Sequence, residues 1–243
     1  MAETVKILSP KKRVFLPNKK ALCPMAAMID LPKLQKLKIE KPRAKVIAYV
    51  NTTAETKVLI DVCVTSANAV KICEKIDDEI IFLPDQNLGE FIREKLPHKK
   101  ITILKGFCEV HQNFNEEKFH QKIASNRDAK VLLHPEVPRK FDRFADEVLS
   151  TGGMLKFVAK SHAKKFLIGT ENSMCERLKM EFPDREFIPL LDRFCAGMQK
   201  TNLQNIYETL RDESGEISLD KKTISTARKS LQKMLEFSLL KTL

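Results

Sequence analysis

Three cysteines, Cys23, Cys108 and Cys195, divide the chain at nearly equal intervals of 85 and 87 residues. Three thiolates without a fourth are the ligand count of an iron-sulfur cluster with one iron left open, or of a zinc site completed by water. A CxxC motif is absent, so metal ligation rests on the interval alone. The competing reading is burial as small hydrophobes. Cys63, Cys73 and Cys175, each inside an apolar or helical pattern, take that second reading.

A second set of polar residues sits at the ends of strand-like runs. Tyr49 and Asn51 close one such run, and His134 and Glu136 close the run 85 residues further on. Ser66 and Thr151 stand where helices are predicted to begin. In parallel α/β units ligands collect beyond the carboxyl ends of the strands, and a hydroxyl at a helix N-terminus can bind a carboxylate or phosphate. The plainer alternative makes Ser66 and Thr151 simple N-caps and His134 a packed histidine. His111 follows Cys108 closely enough to reach a group bound there, while Asn87 and Asn172 are expected to shape turns.

An internal repeat must position these residues. Shifting the sequence by 85 places Ala44-Lys45-Val46 on Ala129-Lys130-Val131, Asp61 on Asp146, Lys71 on Lys156 and Asn87 on Asn172. A third, incomplete copy lies at the N-terminus, where AETVKI at 2–7 resembles ANAVKI at 67–72. Such a period is the signature of repeated structural units. Short apolar runs at 45–50, 62–64, 79–83 and 101–104, and again at 130–133, 147–149, 166–168 and 187–188, are predicted strands alternating with helices. That grammar gives an α/β fold with parallel sheets. A strand is also predicted at 13–16. Helices are predicted after Thr201, carrying Leu203, Ile206, Tyr207 and Leu210, and over about 219–239, burying Ile224, Ala227, Leu231, Met234 and Leu235.

With 243 residues and 43% hydrophobic content the chain can bury real cores, and its net charge of +11 attracts anions. The positive charge is spread, apart from Lys11-Lys12-Arg13 and the 33–45 region, which describes a solvated basic face rather than a nucleic-acid surface. The opening MAETVKILSPKKR lacks the apolar core of a secretory signal, and no run reaches membrane-spanning length. The expected location is therefore cytoplasmic, where the cysteines stay reduced.

The stretches Cys23-Pro24-Met25-Ala26, Tyr49-Val50-Asn51-Thr52, Thr65-Ser66-Ala67-Asn68, Leu83-Pro84-Asp85-Gln86-Asn87, Phe107-Cys108-Glu109-Val110-His111, His134-Pro135-Glu136, Ser150-Thr151-Gly152-Gly153-Met154 and Ile168-Gly169-Thr170-Glu171 resemble the quinolinate synthase family. The resemblance runs in order through essentially the whole chain. It implies three pseudo-equivalent three-layer α/β/α domains in a triangle around one [4Fe-4S] cluster held by Cys23, Cys108 and Cys195. The expected domains are 1–24 with the C-terminal helices of 198–243 completing it, 25–110, and 111–197. The implied reaction condenses iminoaspartate with dihydroxyacetone phosphate to quinolinate for NAD biosynthesis, with L-aspartate oxidase as pathway neighbour. By carry-over Tyr49, Asn51, Ser66 and Thr151 hold substrate carboxylates or phosphate, His134 and Glu136 handle protons, and His111 contacts substrate. A monomer or homodimer is expected. The family begins with most of another repeat, so this chain is expected to be N-terminally truncated, destabilised and poorly active. The rival from another class is a non-catalytic iron-sulfur or anion-binding module.

Overall fold

A computed structural model describes residues 1–239 and resolves two compact units. One comprises Met1–Gly106 together with the chain from Ala196 onward, and the other Phe107–Cys195. Residues 240–243, part of the expected 198–243 segment, lie outside the described residues. Among the described residues no helix is long and apolar enough to cross a membrane.

The first unit carries strands β1 (Lys45–Tyr49), β2 (Val62–Val64), β3 (Ile80–Leu83) and β4 (Ile101–Ile103), all parallel, in the order β2-β1-β3-β4. Successive side chains on a strand point to opposite faces. Ile47, Val62, Val64 and Phe82 accordingly enter one core with Ala227, Leu231 and Met234 of the helix Lys221–Leu239, while Val46, Ala48, Ile81 and Leu83 enter another with Leu34 of the helix Leu31–Glu40. Both faces are covered, which is why these strands read as continuous apolar runs.

The second unit repeats the plan. Strands β5 (Lys130–Leu133), β6 (Glu147–Val148), β7 (Lys165–Gly169) and β8 (Glu186–Pro189) form a parallel sheet in the order β6-β5-β7-β8. Each begins 85 residues after its counterpart, as Lys45/Lys130, Val62/Glu147, Ile80/Lys165 and Ile101/Glu186 show. The matched aspartates explain part of that fidelity. Asp61 Oδ2 accepts the Val46 N–H at 2.8 Å, and Asp146 Oδ2 accepts the Val131 N–H at the same 2.8 Å. In both units a carboxylate just before the second strand pins that strand to the start of the first.

Several local expectations change. The run at 13–16 is not a strand but an isolated antiparallel bridge between Phe15 and Glu216. The helix after β2 begins at Ala69 rather than at Thr65-Ser66, because Asn68 Oδ1 accepts both the N–H (2.6 Å) and the hydroxyl (3.0 Å) of Thr65 and folds that stretch into a turn. Asn202, not Thr201, caps the helix Leu203–Asp212, through a reciprocal capping box with Asn205. In the last helix Leu235 is 43% exposed, and buried Ser230 takes the inward position, donating to the Ala227 carbonyl.

Candidate active site

The second unit gathers four of the sequence-selected residues. Cys108 ends the loop before a four-residue helix, Glu109–Gln112, whose last turn carries His111. His134 and Glu136 lie just beyond β5, where the backbone of His134 donates to the Gly169 carbonyl at the end of β7 (3.0 Å). Ligating atoms of Cys108, His111 and Glu136 all lie within 4.8 Å of one another. His111 is 6% exposed, His134 4% and Glu136 3%, so all three side chains are shielded from bulk water.

The contacts fix orientations. His111 Nε2 stands 2.8 Å from the Thr170 hydroxyl oxygen, and its Nδ1 stands 3.1 Å from Glu136 Oε2. The two imidazoles stack with centroids 4.7 Å apart and planes inclined by 21°. His134 Nδ1 accepts the Glu136 N–H at 3.4 Å, which leaves its ring proton on Nε2. Burial lowers the His134 pKa to about 4, with Glu136 partly opposing that and His111 reinforcing it, so the ring is neutral at physiological pH.

The loop after β7 organises this site; the sequence marked it through the family-like stretch Ile168-Gly169-Thr170-Glu171 and gave a structural role there only to Asn172. Thr170 reaches His111, while Glu171 Oε1 accepts the Cys195 N–H at 3.2 Å. Asn172 exchanges two hydrogen bonds with Arg193, donating its N–H (2.9 Å) and accepting through Oδ1 (3.1 Å), the turn-shaping role expected of it. Gly169 leads into the loop because a Cβ there would lie 2.2 Å from Leu133 Cδ2. The signal available in the sequence was the polar run Thr170-Glu171-Asn172 at a strand's carboxyl end.

The other selected residues are placed as follows. Thr151 is the exposed first residue of the helix Thr151–Lys160, and its neighbour Ser150 is the cap, accepting the Gly153 N–H at 3.2 Å. In the first unit Tyr49 ends β1, Asn51 follows two residues later, and half-buried Ser66 lies in the turn beyond the adjacent strand β2. Ser66, like Thr151, is therefore not an N-cap. Fully buried Lys57 steadies the β1 loop, its ammonium donating to both the carbonyl and the hydroxyl of Thr52.

The cysteines fall into two classes. Cys23, Cys108 and Cys195 are half-buried, and each directly precedes a four-residue helix, at Pro24–Ala27, Glu109–Gln112 and Ala196–Gln199. Cys63, Cys73 and Cys175 are sealed in cores; burial raises all three thiols, Cys73 and Cys175 to about 12, so they stay protonated. Thiolate ligation needs accessible, ionisable sulfur. The half-buried thiols are open to ligation and the sealed ones are not.

The family model for the quinolinate synthetase A protein matches residues 1–236. The chain belongs to that family. It is 45% identical over 97% of its length to a quinolinate synthase of Thermotoga maritima, covering 80% of that relative. A quinolinate synthase of Alkaliphilus metalliredigens is 42% identical over 97% of the chain and 78% of the relative. The protein named quinolinate synthase 2 in Methanosarcina acetivorans is 39% identical over 98% of the chain and 77% of the relative. Within this family setting, the α/β fold with two parallel four-stranded sheets supplies the frame, and the Cys108, His111 and Glu136 group supplies a place suited to a metal cofactor.

Proposed function

We infer that the chain is a quinolinate synthase, an enzyme of NAD biosynthesis that condenses iminoaspartate with dihydroxyacetone phosphate and releases phosphate and water. The observation that carries this reading is the family match over residues 1–236, in a chain whose Cys108, His111 and Glu136 converge at a buried site. We further propose that Cys23, Cys108 and Cys195 hold a [4Fe-4S] cluster. When bound, such a cluster supplies a Lewis-acidic iron without a protein ligand. The proposed architecture is three pseudo-equivalent domains, at 1–24 with the C-terminal helices, 25–110 and 111–197.

The chain's own side chains would do the rest. Glu136, buried with Oε2 3.1 Å from His111 Nδ1, takes and returns the protons that the condensation and dehydration steps move. His134, neutral with its proton on Nε2, donates a hydrogen bond to a carbonyl or carboxylate oxygen without adding charge. His111, its ring clamped by Thr170, contacts substrate beside Glu136. Tyr49, Asn51, Ser66 and Thr151 bind the substrate carboxylates and phosphate by hydrogen bonding, and the net charge of +11 draws anionic substrates inward. The protein works in the cytoplasm, as a monomer or homodimer, downstream of an L-aspartate oxidase that provides iminoaspartate.

The test is iron and sulfide content, a visible spectrum and quinolinate formation on chain purified without oxygen, beside Cys108→Ala. About four irons per chain, a broad absorption lost in the variant, and quinolinate production are expected. Iron-bound protein without turnover would replace this reading with a non-catalytic iron-sulfur module.

A further inference from the structure

We propose that Cys108, His111 and Glu136 also form a site for a single divalent transition-metal ion, zinc or ferrous iron, which the chain binds when no cluster is in place. This site is distinct in its ligands from the proposed cluster, sharing Cys108 but using neither Cys23 nor Cys195. It stands on the geometry of the second unit and not on the cluster assignment.

Three observations converge on it. One sulfur, one ring nitrogen and one carboxylate oxygen, from Cys108, His111 and Glu136, lie within 4.8 Å of one another. Zinc–sulfur and zinc–nitrogen bonds place tetrahedral neighbours about 3.5 Å apart, so a small side-chain adjustment closes the set. Second, His111 Nδ1 is buried and makes no hydrogen bond among the described residues, although Glu136 Oε2 is only 3.1 Å away. The approach is close but not aligned for a hydrogen bond. Third, Nε2 of the same ring is fixed 2.8 Å from the Thr170 hydroxyl. A histidine that gives its Nε2 proton to Thr170 presents a bare lone pair at Nδ1, facing a carboxylate oxygen.

A buried ring nitrogen without a hydrogen bond keeps the cost of its lost hydration until a partner reaches it. A divalent cation gives His111 Nδ1 that partner, and the Glu136 carboxylate and the Cys108 thiol complete a three-ligand set with an open fourth position. Zinc sites with three protein ligands and a water have that count. The Thr170 contact is the outer support that metal-binding histidines carry on their second nitrogen. Binding involves no electron transfer: the thiol proton of Cys108 leaves to solvent and a sulfur–metal bond forms. Because Cys108 is shared, single-metal occupancy withholds it from a cluster, and ferrous iron bound here would be a first iron delivered to the protein.

The experiment titrates iron-free chain, prepared without oxygen, with cobalt(II) alone. One cobalt per chain is expected, with a sulfur-to-cobalt charge-transfer absorption and the d–d bands of a low-coordinate ion. Affinity should be unchanged in Cys23→Ser and Cys195→Ser, lost in Cys108→Ser, and weakened about 10-fold or more in Glu136→Gln and His111→Phe. Circular dichroism checks that each variant is folded, and Glu136→Gln, which preserves shape, decides the matter if His111→Phe is unstable. Cobalt affinity that is unchanged in Glu136→Gln, binding that requires Cys23 or Cys195, or binding that lacks the sulfur band overturns the proposal. None of these outcomes bears on whether the chain assembles a cluster or makes quinolinate, which iron, sulfide and product assays decide separately.

Discussion

The Thr170 hydroxyl oxygen lies 2.8 Å from Nε2 of His111, so a residue at the carboxyl end of β7 sets the ring of a histidine that follows Cys108 by one helical turn. Both partners are buried, at 2% and 6% exposure, and solvent cannot substitute for the hydroxyl. Thr170→Val is isosteric but cannot hydrogen-bond. Loss of such a support costs roughly 10- to 100-fold in activity or metal affinity, and that range is expected for quinolinate formation in Thr170→Val. Thr170→Ser should recover most of the loss. Equal turnover by Thr170→Val and the parent chain would remove Thr170 from the site.

Asp61 and Asp146 make the same strand-pinning bond in two sheets. Removing an ionised acceptor from a backbone N–H costs about 1 to 3 kcal/mol. Asp61→Ala and Asp146→Ala should each lower the urea midpoint by a comparable amount. The Lys130 ion pair of Asp146, both partners partly exposed, adds little to the difference. A large effect in one variant and none in the other would show that the repeat is geometric without being energetic.

Cys73 and Cys175 carry an alkaline stability limit. In the unfolded chain these thiols release protons near pH 9, whereas burial holds the folded pKa values at about 12. Between those limits the folded state binds more protons than the unfolded one, so stability falls as pH rises through that window and is fully present below it. Urea midpoints at about pH 8 and about pH 10 should separate in the parent chain. The separation should narrow in Cys73→Ala with Cys175→Ala, whatever the absolute stability of that variant.

Lys57 is fully buried, and burial lowers its pKa. Its two bonds to Thr52 hold the loop that begins at Asn51. Lys57→Met keeps the aliphatic bulk and removes both bonds. If Asn51 binds substrate, KM should rise by about 10-fold, the equivalent of about 1.4 kcal/mol, with a smaller change in kcat. A loss of kcat alone, at unchanged KM, would argue that the loop does not serve binding.

Much of this protein was legible from its residues. The 85-residue period rested on matches such as Asp61 with Asp146 and Ala44-Lys45-Val46 with Ala129-Lys130-Val131, and the eight strands follow it because each match is a local requirement: an apolar run covered on both faces, or a carboxylate beside a strand start. The distinction between Cys108 and the sealed Cys73 was likewise visible, since apolar neighbours in sequence become apolar neighbours in a core. Helix starts were less so. Asn68 and Asn202 each outcompeted the hydroxyl residue chosen as the helix start, through hydrogen bonds whose geometry depends on the turn already formed.

Only the tertiary structure decided the partners of His111. Thr170 lies 59 residues from it along the chain, and no periodicity or motif links them. They meet because parallel strands deliver their following loops to the same sheet edge, so β5 brings His134 and Glu136 where β7 brings Thr170 and Glu171. Sequence determined which residue types are present and which strand each one follows. Sheet order, β5 beside β7, decided which of them touch, because contact depends on neighbours in space that the chain reaches only after folding.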